Sequence, residues 1–152
     1  MTFGVYIHIP YCIKKCPYCD FNSYGVGKLI PEKEYTDVVL REIDSYREVI
    51  EKVPLNSIFF GGGTPSLFSA DSIGKIMNEI LKLTFPLDSL EVSIEINPKT
   101  VDLKKLKEFR ELGVNRISVG IQSFLERKLK LLGRINTPRD SRAVLEDIIK
   151  AG

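Results

Sequence analysis

The sequence lacks both a long apolar segment and an excess of charge of either sign. No apolar run approaches the roughly 18 residues that span a bilayer, and the chain does not begin with a basic, cleavable leader. The 22 Lys and Arg residues are interspersed with 20 Asp and Glu residues, so no basic stripe indicates binding to nucleic acid or to an anionic membrane. We therefore expect a cytoplasmic protein with no nucleic-acid partner, and nothing in this segment indicates membrane contact.

Cysteine is equally scarce, since the chain has only three in 152 residues. Three cysteines cannot all pair in disulfides, and these three lie close together, from Cys12 to Cys19. In a cytosolic protein such a cluster indicates metal binding or redox chemistry before it indicates a structural disulfide.

The spacing of apolar residues predicts strands and helices in alternation. Predicted strands cover residues 5–9, 58–60, 91–96 and 116–121, and predicted helices cover 31–52, 69–83, 100–112, a short stretch near 129, and 137–150. Thr100 is a predicted N-cap, Thr137 with Pro138 starts the last helix, Gly113 is a predicted helix stop, and Pro31 suits a first helical position.

This order favours parallel strands joined by right-handed crossovers. The composition suits one buried core, so we expect one domain or part of one. The fourth predicted strand is too apolar to form an unpaired edge, and a fifth strand is expected where the sequence stops. We therefore expect an α/β fold that forms the first four βα units of a larger barrel.

The cysteines lie in a loop, Cys12-x3-Cys16-x2-Cys19, directly after the first predicted strand. Three thiolates can bind three irons of a cubane cluster and leave the fourth iron open. α/β barrels place their active sites at this end of the strands. The alternatives are a zinc site completed by His8 or Asp20, and three unrelated buried thiols. Because a zinc site would usually show two pairs of ligands, the spacing favours the iron-sulfur cluster.

Five segments in order carry a resemblance to a known family. They are YIHIPYCIKKCPYCDFNS (6–23), FGGGTPS (60–66), EINP (95–98), GVNRISVGIQSF (113–124) and LGR (132–134). Over essentially the whole chain, the sequence resembles the radical S-adenosyl-L-methionine (SAM) family of oxygen-independent coproporphyrinogen III oxidases and their relatives, most closely its heme chaperone branch, HemW. The resemblance implies a partial radical SAM (βα)6 barrel of the TIM type. Residues 1–152 would be the N-terminal part of the radical SAM core domain, without the remaining strands and the C-terminal domain.

The resemblance also implies cofactors and the residues that bind them. Cys12, Cys16 and Cys19 would hold a [4Fe-4S] cluster, and no catalytic residue is assigned. The positions that contact SAM in the family correspond to Tyr6, Tyr18, Gly62, Gly63, Thr64, Glu95, Gln122 and Arg134. The family also has a histidine at the position of His8, whose role stays open. Asn136 stands where we expect a histidine in the chaperone branch, so no role is assigned to it.

Several of these implied roles suit the chemistry of the side chain. A tyrosine ring can pack on the adenine or exclude water, although core filling is the alternative for Tyr18. Glycines let the backbone approach the methionine end of SAM. Glu95 matches the residue that binds the ribose hydroxyls. The planar fork of Arg134 suits a carboxylate, whereas without the resemblance this arginine would be interpreted as a solvated helix-end charge.

Position 21 distinguishes two functional classes. The oxidase branch carries a fourth cysteine two residues after the third, whereas this sequence has Phe21, which cannot bind metal or act as a thiol. We therefore expect a heme chaperone that binds heme and delivers it to acceptor proteins. The alternative is oxidative decarboxylation of coproporphyrinogen III in porphyrin biosynthesis, and enzymatic activity stays open. Expected partners are SAM, heme or porphyrin, an electron donor such as flavodoxin or ferredoxin, and a heme-acceptor protein.

Overall fold

The computed structural model describes residues 2–51 and 53–152. The main sheet contains four parallel strands in the order β1 (Phe3–Ile9), β4 (Pro54–Gly62), β5 (Phe85–Ile96) and β6 (Arg116–Val119). A smaller parallel pair consists of β2 (Tyr11–Cys12) and β3 (Tyr24–Gly25). The helices are α1 (Glu32–Ser45), α2 (Arg47–Ile50), α3 (Ala70–Leu83), α4 (Leu103–Glu111), α5 (Glu126–Leu131) and α6 (Pro138–Ala151). The predicted α/β architecture with parallel strands is confirmed.

The apolar pattern explains how the core forms. Ile73, Ile76 and Ile80 recur at spacings of three and four, which places them on one stripe of α3, and all three are buried. Ile58 and Phe60 alternate along β4 and are fully buried. Burial of each such side chain stabilises the fold by about 1.5–3 kcal/mol relative to exposure. Within the described part of the chain, no helix has the length and apolar character needed to cross a membrane.

The prediction that Thr100 caps the helix after β5 is wrong. The Asp102 side chain is the N-cap of α4 and accepts a hydrogen bond from the backbone N–H of Lys105 at 2.8 Å. Thr100 instead donates its hydroxyl to the carbonyl oxygen of Asn97 at 2.9 Å and lies 2.5 Å from the Ser66 hydroxyl. Aspartate and threonine are both good caps, and here contact with the neighbouring loop engages the threonine.

Other boundaries also differ from the prediction. The helix predicted for 31–52 ends earlier, because the chain departs from helical geometry at Tyr46 before the short helix α2; residue 52 lies outside the described residues. Pro31 is the residue before the first helical position of α1. The strand predicted for 116–121 stops at Val119. The predicted helix stop at Gly113, with φ 102°, and the helix start at Thr137 are confirmed, the latter by a capping box with Asp140.

The parallel sheet brings the carboxyl ends of its strands to one edge. The cysteine-containing segment follows β1, the Gly63-Thr64-Pro65 turn follows β4, and Asn97 follows β5. The segment that begins at Gly120 follows β6. Because parallel strands place all these segments together, motifs that are far apart in the sequence meet at this edge.

Candidate functional site

A cavity of about 370 Å³ lies at the carboxyl edge of the sheet. All of the residues predicted to bind the cluster or SAM line it, except Tyr6 and Gly62. The predicted residues in its wall are Cys12, Cys16, Tyr18, Cys19, Gly63, Thr64, Glu95, Gln122 and Arg134. A larger and more open groove, of about 670 Å³, runs along the outside of α6 but contains none of the predicted residues. We therefore place the candidate site in the smaller cavity.

The cysteine loop is held by backbone hydrogen bonds to the segment that follows it. The N–H of Tyr24 donates to the Pro10 carbonyl oxygen at 2.7 Å, and the N–H of Val26 donates to the Cys12 carbonyl oxygen at 2.9 Å. All three cysteines are free thiols and half-buried. Because they line one shared cavity, they do not fit the alternative of unrelated buried thiols.

Two of the three sulfur atoms receive hydrogen bonds from outside the cysteine loop. The Thr64 hydroxyl donates to Cys12 Sγ at 3.4 Å, and Nη1 of Arg134 donates to Cys16 Sγ at 3.7 Å. These donors come from segments that are 52 and 118 residues away in sequence. Donors of this kind stabilise negative charge on sulfur, as outer-shell partners do at metal sites.

Gly63 allows the turn after β4 to lie directly against the cysteine loop. A Cβ atom at this position would lie 2.7 Å from the carbonyl oxygen of Tyr11, so no larger residue fits without movement of the backbone. The Gly63 N–H donates to the Ile9 carbonyl oxygen at 2.8 Å, and the Thr64 N–H donates to Tyr11 at 2.9 Å. The glycine is therefore required for close approach of the two loops.

Glu95 is a half-buried carboxylate at the end of β5. Its Oε2 accepts a hydrogen bond from the backbone N–H of Gly62 at 3.1 Å. Burial raises the pKa of Glu95, while the Gly62 N–H and nearby His8 act in the opposite direction. Gly62 therefore contacts a cavity residue through its backbone although it does not line the cavity.

His8 lies beside the cavity, and both of its ring nitrogens have partners. Nε2 donates to the carbonyl oxygen of Asn22 at 2.7 Å, which leaves Nδ1 to accept from the Tyr6 hydroxyl at 3.1 Å. Tyr6 and His8 thus share one face of β1 as predicted, and Tyr6 is 56% exposed outside the cavity wall. Neither His8 nor Asp20 lines the cavity, so neither completes a zinc site with the cysteines in this arrangement.

The distances among the described residues do not suit a single metal ion. In residues 2–51 and 53–152, no group of three or more His, Cys, Asp or Glu side chains is close enough to hold one ion. Cysteines that each bind a separate iron of one cluster do not need to converge on one point.

Two further predicted residues, Tyr18 and Gln122, complete the cavity wall. Burial raises the pKa of the Tyr18 phenol. Nearby Arg134 acts to lower this pKa, and Cys16 acts to raise it. Gln122 has φ 68°, a left-handed conformation that is uncommon for residues other than glycine. Such outliers cluster at functional sites, so this conformation agrees with a role for the turn after β6.

Sequence reasoning does not single out several residues of the site. Asn97 lies inside the EINP segment, and Ser118 and Gly120 lie inside GVNRISVGIQSF, so membership of these segments is the signal that identifies them. Asn136, to which the sequence assigns no role, lies outside the cavity wall, and its amide oxygen accepts a hydrogen bond from Nε of Arg134 at 3.0 Å. The other residues of the cavity wall that sequence reasoning does not single out are Lys14, Ser23, Ile96 and Val119.

Comparison with known proteins identifies the family of this chain. The model of the radical SAM superfamily matches residues 6–152. The heme chaperone HemW of Haemophilus influenzae is 43% identical over 146 residues, which are 93% of this chain and 38% of that protein. The heme chaperone HemW of Escherichia coli is 40% identical over 140 residues, which are 91% of this chain and 37% of that protein.

A solved structure shows the same architecture. The coproporphyrinogen III oxidase HemN of Escherichia coli, described as a radical SAM enzyme, superposes with a TM-score of 0.91 at 26% identity. The superposition covers 99% of this chain and 35% of the oxidase chain. This chain thus spans less than two fifths of each of these relatives, about 37–38% of the HemW proteins. By its family match, its homologues and its fold, the chain belongs to the radical SAM superfamily.

Proposed function

We propose that this chain binds a [4Fe-4S] cluster and SAM as part of a HemW-like heme chaperone. The observation that carries the proposal is the convergence of Cys12, Cys16 and Cys19 on one cavity. The SAM-binding positions inferred from the family surround the same cavity, except for Tyr6 and Gly62. Membership of the radical SAM superfamily implies both cofactors.

The donor set fits a cluster of this kind. The three free thiols are half-buried on one loop, and two of their sulfurs accept hydrogen bonds from Thr64 and Arg134. Three thiolates leave one iron of a cubane open for a ligand. When bound, the reduced cluster supplies the electron that cleaves the sulfonium bond of SAM.

The surrounding residues would bind and orient SAM. The half-buried Glu95 offers a carboxylate to the ribose hydroxyls. Gly63 and Thr64 lie in the cavity wall beside the cysteine loop, where they would contact the methionine end of SAM. Tyr18 lies in the cavity wall, where its ring would limit access of water to the cysteines.

Phe21 favours the chaperone over the oxidase. It lines the cavity and is 60% exposed at the position where the oxidase branch is expected to have a fourth cysteine. The HemW relatives support heme as the ligand, and the likeness to HemN keeps coproporphyrinogen III decarboxylation as the second candidate. A flavodoxin or ferredoxin electron donor, a heme-acceptor protein and a cytoplasmic location stay predictions.

The cluster can be tested in the complete gene product after anaerobic reconstitution. We expect about four iron and four sulfide per chain. Replacement of Cys12, Cys16 or Cys19 by alanine should abolish binding, because each thiolate holds a separate iron. Stoichiometric zinc without sulfide would disprove this assignment.

The two functional classes are separated by a second measurement on the same protein. Heme titration should give a saturable Soret shift. Coproporphyrinogen III, supplied with SAM and a reductant, should give no protoporphyrinogen, because Phe21 provides no thiol. Multiple turnovers of the decarboxylation would favour the oxidase instead.

A further inference from the structure

Asn136 is a buried polar residue between α5 and α6 whose amide is hydrogen-bonded on both sides. It is 3% exposed. Its Oδ1 accepts from Nε of Arg134 at 3.0 Å, and its Nδ2 donates to the hydroxyl oxygen of Ser141 at 3.0 Å. Ser141 is fully buried and donates in turn to the Thr137 carbonyl oxygen at 3.0 Å. Asn136 is thereby anchored to the first turn of α6.

The guanidinium of Arg134 is directed by the same contact. Besides donating to Asn136, it donates through Nη2 to the carbonyl oxygen of Gly120 and through Nη1 to Cys16 Sγ at 3.7 Å. A guanidinium is planar, so the direction of Nε restricts where the other two nitrogens point. An acceptor at Nε therefore helps to determine whether Nη1 faces the sulfur.

The segment that contains Arg134 also touches the cysteine loop directly. Gly133 has φ 65°, and a Cβ atom there would lie 2.7 Å from Cδ of Pro17. Backbone packing and the guanidinium thus hold the two segments together at adjacent points. A change in the orientation of Arg134 would therefore alter its hydrogen bond to Cys16 Sγ even if the backbone stayed in place.

We propose that Asn136 is a positioning residue, which holds Arg134 in the orientation that donates to Cys16 Sγ. Ser141 accepts a hydrogen bond from Asn136 and so holds it in place. The side chains of Ser141, Asn136 and Arg134 form a chain of hydrogen bonds from α6 to the cysteine loop, which we call the relay. The inference rests on the proposed cluster at Cys16. Donors to cluster sulfurs stabilise the reduced, more negative form and so raise the reduction potential.

The test measures the midpoint potential of the cluster by electron paramagnetic resonance in the complete gene product. In Asn136→Ala, Arg134 loses its Nε acceptor, so the potential should shift to a more negative value. SAM affinity should fall as well, because Arg134 corresponds to a position that contacts SAM in the family; we expect about tenfold, the lower end of the loss in metal affinity or activity that removal of an outer-shell partner causes. Ser141→Ala, a milder change that frees Nδ2 of Asn136, should shift the potential in the same direction by less.

Asn115 provides a matched control. Its Oδ1 accepts from the N–H of Val92 at 2.9 Å, and its Nδ2 donates to the Leu90 carbonyl oxygen at 2.8 Å, at the opposite end of β6. Asn115→Ala should destabilise the fold but leave the potential and the SAM affinity unchanged.

Each result decides between clear outcomes. A wild-type potential in both Asn136→Ala and Ser141→Ala would overturn the relay, as would an equal shift in Asn115→Ala. If Asn136→Ala fails to assemble a cluster, the potential of Ser141→Ala decides: a shift supports the relay and the wild-type value overturns it. Absence of a cluster in the wild-type protein would instead overturn the proposed function.

Discussion

At the residue scale, Glu95 combines a proposed role in SAM binding with a cost to stability. Burial raises the pKa of its carboxyl in the folded chain, so folding favours the protonated form. Its contribution to stability is therefore greatest below the ordinary glutamate pKa and is lost as the pH rises through the raised value. A residue kept for binding ribose hydroxyls would thus reduce stability at neutral pH.

We expect Glu95→Gln to melt at a higher temperature than the wild type at neutral pH. The amide carries no charge and can still accept from the Gly62 N–H, and the difference should shrink as the pH falls. Thermal melts followed by circular dichroism across acidic to neutral pH measure this effect. A SAM titration should show weaker binding by the variant.

Glu126 supplies a control, because its pKa is shifted in the opposite direction to that of Glu95. Lys130 lowers the pKa of this exposed carboxyl, so removal of its charge should leave the neutral-pH melting temperature unchanged or slightly lower. A lower melting temperature of Glu95→Gln at neutral pH would show that the ionised carboxylate stabilises the fold.

At the element scale, two residues near the start of α4 have different roles. Asp102 caps the helix, and Thr100 contacts the neighbouring loop. Asp102→Ala should reduce the free energy of unfolding by about 1 kcal/mol, as loss of an N-cap usually does. Its effect should be confined to stability, because Asp102 does not line the cavity. Denaturant unfolding and SAM titration of the same variant measure the two quantities.

Thr100→Val is the companion variant. It removes the hydroxyl that lies against Ser66 and Asn97, and Asn97 lines the cavity. We expect this variant to weaken SAM binding as well as the fold. Equal SAM affinities of the Asp102 and Thr100 variants would contradict this division of roles.

Periodicity predicts the order and type of the elements but not all of their ends. The buried stripe of α3 and the alternation along β4 are local patterns, so the sequence contains them directly. Thr100 and Asp102 are both acceptable caps, and in the folded chain the Thr100 hydroxyl contacts Ser66 and Asn97 while Asp102 caps α4. The cysteine spacing indicates the site, whereas the bond from Arg134 to Cys16 joins residues 118 positions apart and depends on the folded sheet.

At the scale of the whole molecule, β6 is an edge strand among the described residues. Beside it lies a mainly apolar groove of about 280 Å³, which includes Val119 and Leu145. An edge strand offers unpaired backbone groups to other chains, and two of the four residues of β6, Ile117 and Val119, are apolar. The 152-residue chain on its own should therefore self-associate.

Light scattering and size-exclusion chromatography of this chain and of the complete gene product test that expectation. A longer protein in which further residues cover β6 should stay monodisperse at concentrations at which the 152-residue chain aggregates. A monodisperse, cooperatively melting 152-residue chain with tight SAM binding would show that β6 does not need a neighbouring strand to prevent self-association.

The close approach at Gly63 has a consequence for hydrogen exchange. The Gly63 amide donates to Ile9 at the end of β1, whereas the Thr64 amide donates to Tyr11 next to Cys12, so protection of the Thr64 amide depends on the position of the cysteine loop. In deuterated water the Thr64 amide should exchange faster when the loop is released, while the Gly63 amide and the amides within α3 keep their rates. Exchange at the turn after β4 thus reports on order in a loop that is distant in sequence.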